Sequence, residues 1–283
     1  MSVLRRDDVP LDPESFRAIA DFAYRESGLT LVGGKTTMIQ SRLRHRLDAL
    51  GLTDFPAYCA YVRSTKGRSE RQHLISALTT NVSSFFREKH HFDSFCLHLD
   101  GLLDDLRNGA KLRIWSAGCA NGQEALSIAM SLLEHAPELA NLNVRILATD
   151  IDPKVINFAR TGIYDARQVS GVPKSLLVKY FAADVDGETG ETAYRAAPAI
   201  RDIIRYNTLN LLGEWPIRTR FDAIFCRNVV IYFDVETQRR LWPRLRAVLQ
   251  PAGILCLGHS ERIQNPENFG FYCSKPTTYH ALD

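Results

Sequence analysis

The chain has 283 residues, 45% of them hydrophobic and 24% charged, with a formal net charge of +3. That is an ordinary composition for a globular protein, long enough for one large or two small domains. No apolar run approaches the ~20 residues of a membrane-spanning helix, and MSVLRRDDVPLDPESF at the start holds no signal-peptide core, so a cytoplasmic protein without direct membrane insertion is expected. The six cysteines (59, 96, 119, 226, 256 and 273) are scattered with no C-x-x-C pair, which suggests neither a disulfide framework nor a zinc site. Cys119 and Cys226 read as small strand-end residues.

Residues 1–90 read as helical. Phe16, Ile19, Ala20 and Ala23 form a helical stripe behind Asp12-Pro13-Glu14-Ser15, a cap region. Residues 27–35, SGLTLVGGK, are a loop, and Lys35 to Leu50 form a second helix with Ile39, Leu43, Leu47 and Leu50 on one face. Lys35, Arg42 and Arg46 line the edge of that face. A solvated face is the default reading of such a row. However, residues 35–71 carry eight Lys/Arg against three acids, a net +5, whereas ordinary solvated faces mix their signs. The excess points to an acidic partner.

Ser69–Leu78 continues the helical pattern into TTNVSSFFREKHHF (79–92). Thr79, Thr80, Asn81, Ser83 and Ser84 suit a loop, with Phe85 and Phe86 buried and Arg87 directed to a specific partner. His90 and His91 read as surface or packing residues, because no carboxylate or cysteine cluster accompanies them in sequence.

The chain is organised around KLRIWSAGCANGQEALSIAM (111–130). Leu112, Ile114 and Trp115 mark a buried strand, Ser116 to Gly122 a small polar loop, and Ala125, Ile128, Ala129, Leu132 and Leu133 one face of a helix. Strand, glycine loop and helix make the first crossover of a nucleotide-binding α/β unit. VRILATDID (144–152) is a second strand ending in Asp150, the position from which such folds hold a ribose. The loop lacks the full G-x-G-x-x-G spacing, and dehydrogenases and methyltransferases share this arrangement. A helix begins at Pro153. Residues 165–200 interrupt the rhythm, with DGETG (186–190) as the turn of a β-hairpin. Strands resume at 203–212, ending in Asn210, and within 221–234. Residues 242–261 read as a helix, a Pro251-Ala252-Gly253 turn and a fifth strand, and 271–282 as a hairpin. A last strand added antiparallel to a parallel sheet favours a methyltransferase.

These motifs together resemble the CheR family, the chemotaxis receptor methyltransferases that use S-adenosylmethionine. LTTNVSSFFRE (78–88) is similar to the family's TTN-x-[ST]-x-FFRE signature, IWSAGCANGQEALS to its glycine motif, LATDID to its second-strand acid, and CRNVVIYFD (226–234) to its C-R-N-x-x-I-Y-F motif. The family usually reads S-T-G-E-E-P-Y-S where this chain has Ala120-Asn121-Gly122-Gln123-Glu124-Ala125-Leu126-Ser127, and Val230 replaces a frequent methionine.

The resemblance implies an α/β fold, with a Rossmann-like class I methyltransferase sheet and a terminal antiparallel hairpin over 91–283, a small inserted β-subdomain at about 165–200, and an all-helical domain over 1–90. It implies that Asn81, Ser83, Arg87, Gly118, Glu124, Asp150, Asn210, Leu211, Arg227 and Asn228 contact S-adenosylmethionine, with S-adenosylhomocysteine as product. Arg87 and Tyr232 would be the catalytic pair, and Lys35, Arg42 and Arg46 would dock a chemoreceptor's acidic cytoplasmic bundle. No metal and no nucleic acid are expected, and nothing demands more than a monomer. The competing readings are a methyltransferase acting on nucleic acid and a non-catalytic cofactor-binding scaffold. Arg227-Asn228-Val229-Val230 stands where an Asp/Asn-Pro-Pro-aromatic motif would mark an amino-methyltransferase of DNA.

Overall fold

The computed structural model describes residues 9–31, 33–185, 190 and 192–282. These divide into two compact units, 9–80 with Tyr232–Asp234 and 81–231 with 235–282.

The first unit is built on four helices, α1 (Pro13–Ser27), α2 (Thr36–Leu50), α3 (Phe55–Arg63) and α4 (Arg68–Leu78). Asp12 caps α1 by accepting the Glu14 and Ser15 N–H groups at 3.1 and 2.8 Å. Ile19, Phe22, Ile39, Leu43, Leu47, Phe55, Tyr58, Leu74 and Leu78 fill the core between them. Helix α3 went unread in the sequence, although Asp54 caps it through the Ala57 N–H at 2.8 Å.

The second unit opens with a loop over 81–89, then α5 (His90–Asp100) and α6 (Leu103–Arg107). There follow β1 (Leu112–Ala117), α7 (Gln123–His135), β2 (Val144–Asp150), α8 (Pro153–Thr161), β3 (Ile163–Asp165), α9 (Lys174–Tyr180), β4 (Phe181–Val185) and β5 (Thr192–Ala196). The chain continues through α10 (Pro198–Arg201), β6 (Ile204–Thr208), β7 (Phe221–Cys226), α11 (Val235–Ala247), β8 (Leu249–Leu257), β9 (Phe271–Lys275) and β10 (Thr278–Ala281). Seven strands form one sheet in the order β6-β2-β1-β7-β8-β10-β9. The first five are parallel, and β10 runs antiparallel to both of its neighbours. Ile114, Ile146, Ala148, Phe225 and Cys256 on one face join Phe92 and Phe95 of α5 and Ala125, Ile128 and Ala129 of α7 in a single core. The order reverses direction at β1, and ligands bind at the strand C-termini beside such a switch point.

A second sheet, β3-β5-β4, is the inserted β-subdomain. Strands β4 and β5 pair antiparallel, as the hairpin reading expects, while residues 186–189 of its turn lie outside the described residues. Two other details differ from the sequence reading. The unit boundary follows Thr80 instead of residue 90, because Phe85 packs into the core of the second unit and takes its loop with it. Pro251-Ala252-Gly253 lies inside β8, where Ala252 adopts φ 57° and the register with β7 shifts: a bulge, so the strand already begins at Leu249.

Candidate active site

The loop after β1 turns on two glycines. Gly118 has φ 97°, and a Cβ there would come within 2.2 Å of Val229 Cγ2. Gly122 has φ 89°, and a Cβ there would meet Ala159 Cβ at 2.9 Å and the hydroxyls of Tyr164 and Tyr206 at 3.0 Å. Both positions are therefore closed to any side chain by conformation as well as by space. Between them Ala120 takes φ 46° and donates its N–H to Asp150 Oδ2 at 3.0 Å.

Asp150, at the end of β2, is buried, and its Oδ1 accepts the Asp152 N–H at 3.0 Å. Burial raises the pKa of this carboxyl, while the Asp152 and Ala120 N–H bonds oppose the rise. Backbone N–H groups bond both oxygens, and the carboxylate keeps acceptor capacity beyond them, the chemistry a vicinal diol requires. On the neighbouring strand, the segment after β6 places Asn210, whose Oδ1 accepts the Leu212 N–H at 2.9 Å, and the buried Leu211. Arg244 secures this segment by donating to the Leu211 carbonyl at 2.7 Å while lying 4.1 Å over the Trp215 ring.

A buried ionic network joins three motifs. The Arg227 guanidinium donates to Glu124 Oε2 at 3.1 Å and to the Arg87 carbonyl, and lies 3.4 Å from Glu88 Oε2. Glu124 accepts the Ser116 hydroxyl at 2.7 Å through its other oxygen. Burial pushes the Glu124 carboxyl up, and Arg227 opposes that shift. Arg87 itself is only half-buried, its Nε 3.9 Å from Glu88. Asn81 donates to Asp152 Oδ2 at 2.9 Å, and Ser83 is half-buried in the same loop. Asn228 sits at φ 59° and donates its N–H to Glu261 at 2.8 Å.

The fold thus brings Asn81, Ser83, Arg87, Gly118, Glu124, Asp150, Asn210, Leu211, Arg227 and Asn228 into one unit: the first three on the 81–89 loop, Glu124 in the first turn of α7, Asp150 at the end of β2 and the others after β1, β6 and β7. Tyr232 falls with the helical unit, where its carbonyl accepts the Thr30 N–H at 2.8 Å. Of the basic row in that unit, Lys35 is exposed. Arg42 donates to the Leu78 and Thr79 carbonyls and to Thr80 Oγ1. Arg46 is clamped by the buried Glu70, with both bonds at 2.8 Å or less and Tyr58 also bonded to that carboxylate. Arg46 is therefore a neutralised structural tie and not a freely presented charge.

Sequence reading assigned no role to Glu88, Glu261, Asp152 or Arg244. Glu261 has no sequence signal, yet it accepts N–H groups from Asn228, Gly258 and Ile231, which pins the loop after β7. A carboxylate does accompany the two histidines: Glu88, His90 and His91 bring ligand atoms within 4.8 Å of one another. Arg227 already provides a cation to Glu88, and His91 Nε2 lies 2.8 Å from Thr277 Oγ1, so packing accounts for His91.

A carboxylate for a ribose diol, an amide and a leucine on the next strand for a purine, and facing acidic and basic groups for an amino-acid tail fit S-adenosylmethionine. With this strand order they define a class I S-adenosylmethionine-dependent methyltransferase. Comparison with known families matches residues 81–279 to the CheR methyltransferase, SAM binding domain, and residues 14–79 to the CheR methyltransferase, all-alpha domain. A probable chemotaxis protein methyltransferase of Rhizobium etli is 40% identical over 90% of this chain and 95% of its own length. Chemotaxis protein methyltransferase 2 of Pseudomonas aeruginosa is 38% identical over 88% and 86%, and the chemotaxis protein methyltransferase of Escherichia coli is 36% identical over 91% and 87%. The chain belongs to the CheR methyltransferase family.

Proposed function

We propose that the chain methylates glutamate side-chain carboxylates on the cytoplasmic domains of chemoreceptors, giving methyl esters and S-adenosylhomocysteine for sensory adaptation in chemotaxis. The observation that supports the choice of a carboxylate is that the buried ionisable groups described around the loops are engaged or shifted away from acting as a base. Glu124 and Glu88 are engaged by Arg227, and Asp150 by two N–H groups. Burial drives His91 down to about 3 and holds the Cys119 and Cys226 thiols far above their usual range. None of these buried groups is poised to take a proton from an amine or amide nucleophile. A glutamate carboxylate, with a reference pKa of about 4.3, arrives ionised and needs no base.

S-adenosylmethionine supplies an electrophilic methyl group on a sulfonium. The protein's task is then orientation in a dry site. Asp150 accepts the ribose hydroxyls, Asn210 meets the adenine edge and Leu211 its face, and Glu124 answers the amino group. Arg227 and Asn228 hold the neighbouring loop, Asn81 and Ser83 contribute polar contacts, and Gly118 lets the loop after β1 turn against Val229. Arg87 aligns the carboxylate with its fork of donors, and the Tyr232 hydroxyl orients the nucleophile. In the helical unit, Lys35 and Arg42 keep their charge for an acidic helical bundle, since the partners of Arg42 are neutral oxygens. The enzyme acts in the cytoplasm as a monomer.

The test incubates the protein with methyl-labelled S-adenosylmethionine and membranes carrying the chemoreceptors of its own organism. Base-labile label on the receptor that falls in Arg87→Ala and Tyr232→Phe is expected. Cofactor binding without receptor label would reject the substrate assignment.

A further inference from the structure

The second unit carries a groove of about 490 Å³ on the sheet face turned away from α7, and its chemistry is unlike that of the active site. Arg113, Arg145 and Arg205 are each the second residue of their strand, β1, β2 and β6. They alternate with Ile114, Ile146 and Ile204, which belong to the core on the α7 side, so all three arginines share the other face. Arg113 stands directly opposite Arg145 in the register, and Arg205 opposite Leu147, two residues further along β2. Arg218 joins them from the segment between β6 and β7. That segment, 209–220, contains no helix, which leaves this part of the face without the layer that usually covers a doubly wound sheet.

Four guanidinium groups therefore line one concavity. The described residues include no ion-pair partner for any of them. Arg113 donates to the Leu112 and Asn143 carbonyls and to Asn143 Oδ1 at 2.8–2.9 Å. Arg145 donates to the Val144 carbonyl at 2.7 Å, and Arg205 to the Asp202 and Ile204 carbonyls at 3.0 Å. These neutral oxygens fix the side chains and leave their charge uncancelled. Asp222 is the nearby acid; its Oδ2 accepts the Arg113 N–H at 2.8 Å, and burial raises its pKa. Like charges directly opposite on adjacent strands destabilise a sheet. A face needing only closure would carry apolar residues, as Leu147, Ile217 and Phe221 in the same groove do.

We propose that this groove binds a phosphate-bearing small molecule of nucleotide size. Guanidinium forks match phosphate oxygens in pairs. The apolar residues offer a surface for a ring, and Asn207 and Thr219 offer polar contacts to its edge. The volume lies in the range of ~300–1,000 Å³ typical of small-molecule sites. The cofactor residues Asp150, Asn210 and Leu211 do not line it.

The full-length protein, saturated with S-adenosylhomocysteine so that the cofactor loops are occupied, is titrated calorimetrically with GTP, ATP, inorganic pyrophosphate and a Glu-rich decapeptide. Micromolar binding of at least one nucleotide is expected, with weaker binding of pyrophosphate. Arg145→Glu and Arg205→Glu should each weaken the nucleotide at least tenfold, and the Lys variants less. Relief of repulsion should leave the melting temperature of the Arg145→Glu protein equal to or above that of the parent. Absence of nucleotide binding, binding indifferent to both reversals, or arginine-dependent binding of the peptide alone would each overturn the proposal.

Discussion

Arg227 shows how much a single buried cation can organise. It neutralises Glu124, approaches Glu88 and holds the Arg87 carbonyl, so its removal strands the buried Glu124, while Glu88 keeps His259 beside it. Arg227→Met should cost about 3–5 kcal/mol of stability, read from urea denaturation, because an uncompensated buried charge is left behind. Asp150→Asn keeps the size of the side chain but replaces one acceptor oxygen with a donor. Affinity for S-adenosylhomocysteine should fall roughly 10- to 100-fold by calorimetry, the value of about one charged hydrogen bond. His91 sets a pH dependence. The unfolded chain protonates this imidazole below about 6.5, whereas the folded one resists until about 3, chiefly through burial. Stability present above pH 6.5 is therefore lost as the pH falls toward 3, by about 1.4 kcal/mol per pH unit at most. Denaturation at pH 7, 6 and 5 should show that slope flattening in His91→Gln. In sequence, Asp150 and Arg87 were legible because motif spacing marks them. Glu261 was not, because its partners are backbone N–H groups, which leave no trace in side-chain patterns.

Among the elements, the inserted β-subdomain and the 81–89 loop are energetically one piece. Phe85 packs edge-on against Tyr164 of β3 at 5.2 Å and against Phe181 of β4 at 5.7 Å. Phe181→Ala, which truncates a buried aromatic, should cost about 3–5 kcal/mol. It should also weaken cofactor binding by loosening Phe85, an effect that a purely local cavity in the subdomain would not produce. At the start of α7, Gly122→Ala should lower both the melting temperature and cofactor affinity. Pairing it with Tyr206→Phe should recover only the part due to that hydroxyl, because Ala159 Cβ, the Tyr164 hydroxyl and the φ of 89° persist. Elements with strong periodicity, such as α2, α7 and β2, were readable. Helix α3 was not, since FPAYCAYV mixes aromatic and β-branched residues that suit a strand equally well. The bulge in β8 was hidden for a related reason: proline and glycine signal a break in direction and an irregular strand alike.

For the whole molecule, four motifs in a fixed succession implied, by resemblance, a helical part followed by a class I methyltransferase sheet with a terminal antiparallel hairpin, whereas the strand order came from the structure. The sequence did not reveal the Thr80 boundary, which depends on where Phe85 packs, nor that Tyr232–Asp234 leave the unit their neighbours belong to. Its basic row was visible as composition, but the engagement of Arg46 by Glu70 required the tertiary structure. If the helical unit presents charge to an acidic receptor, Lys35→Glu should raise the KM for receptor several-fold with kcat unchanged, and added salt should erase the difference. Arg46→Ala should act instead on stability, by stranding Glu70.

The loops that carry the site hold Phe86, Glu88, Ala120 and Asn228 at φ between 46° and 59°. For the non-glycine residues other than asparagine, that conformation costs about 1–2 kcal/mol each. A search for heat-tolerant forms of this enzyme should therefore be drawn to Gly or Asn at residue 120, since Phe86 packs on Phe92 and Glu88 faces Arg227 and His259. That same exchange would free the loop beside Asp150, so the hardiest variants from such a screen should also be among the slowest.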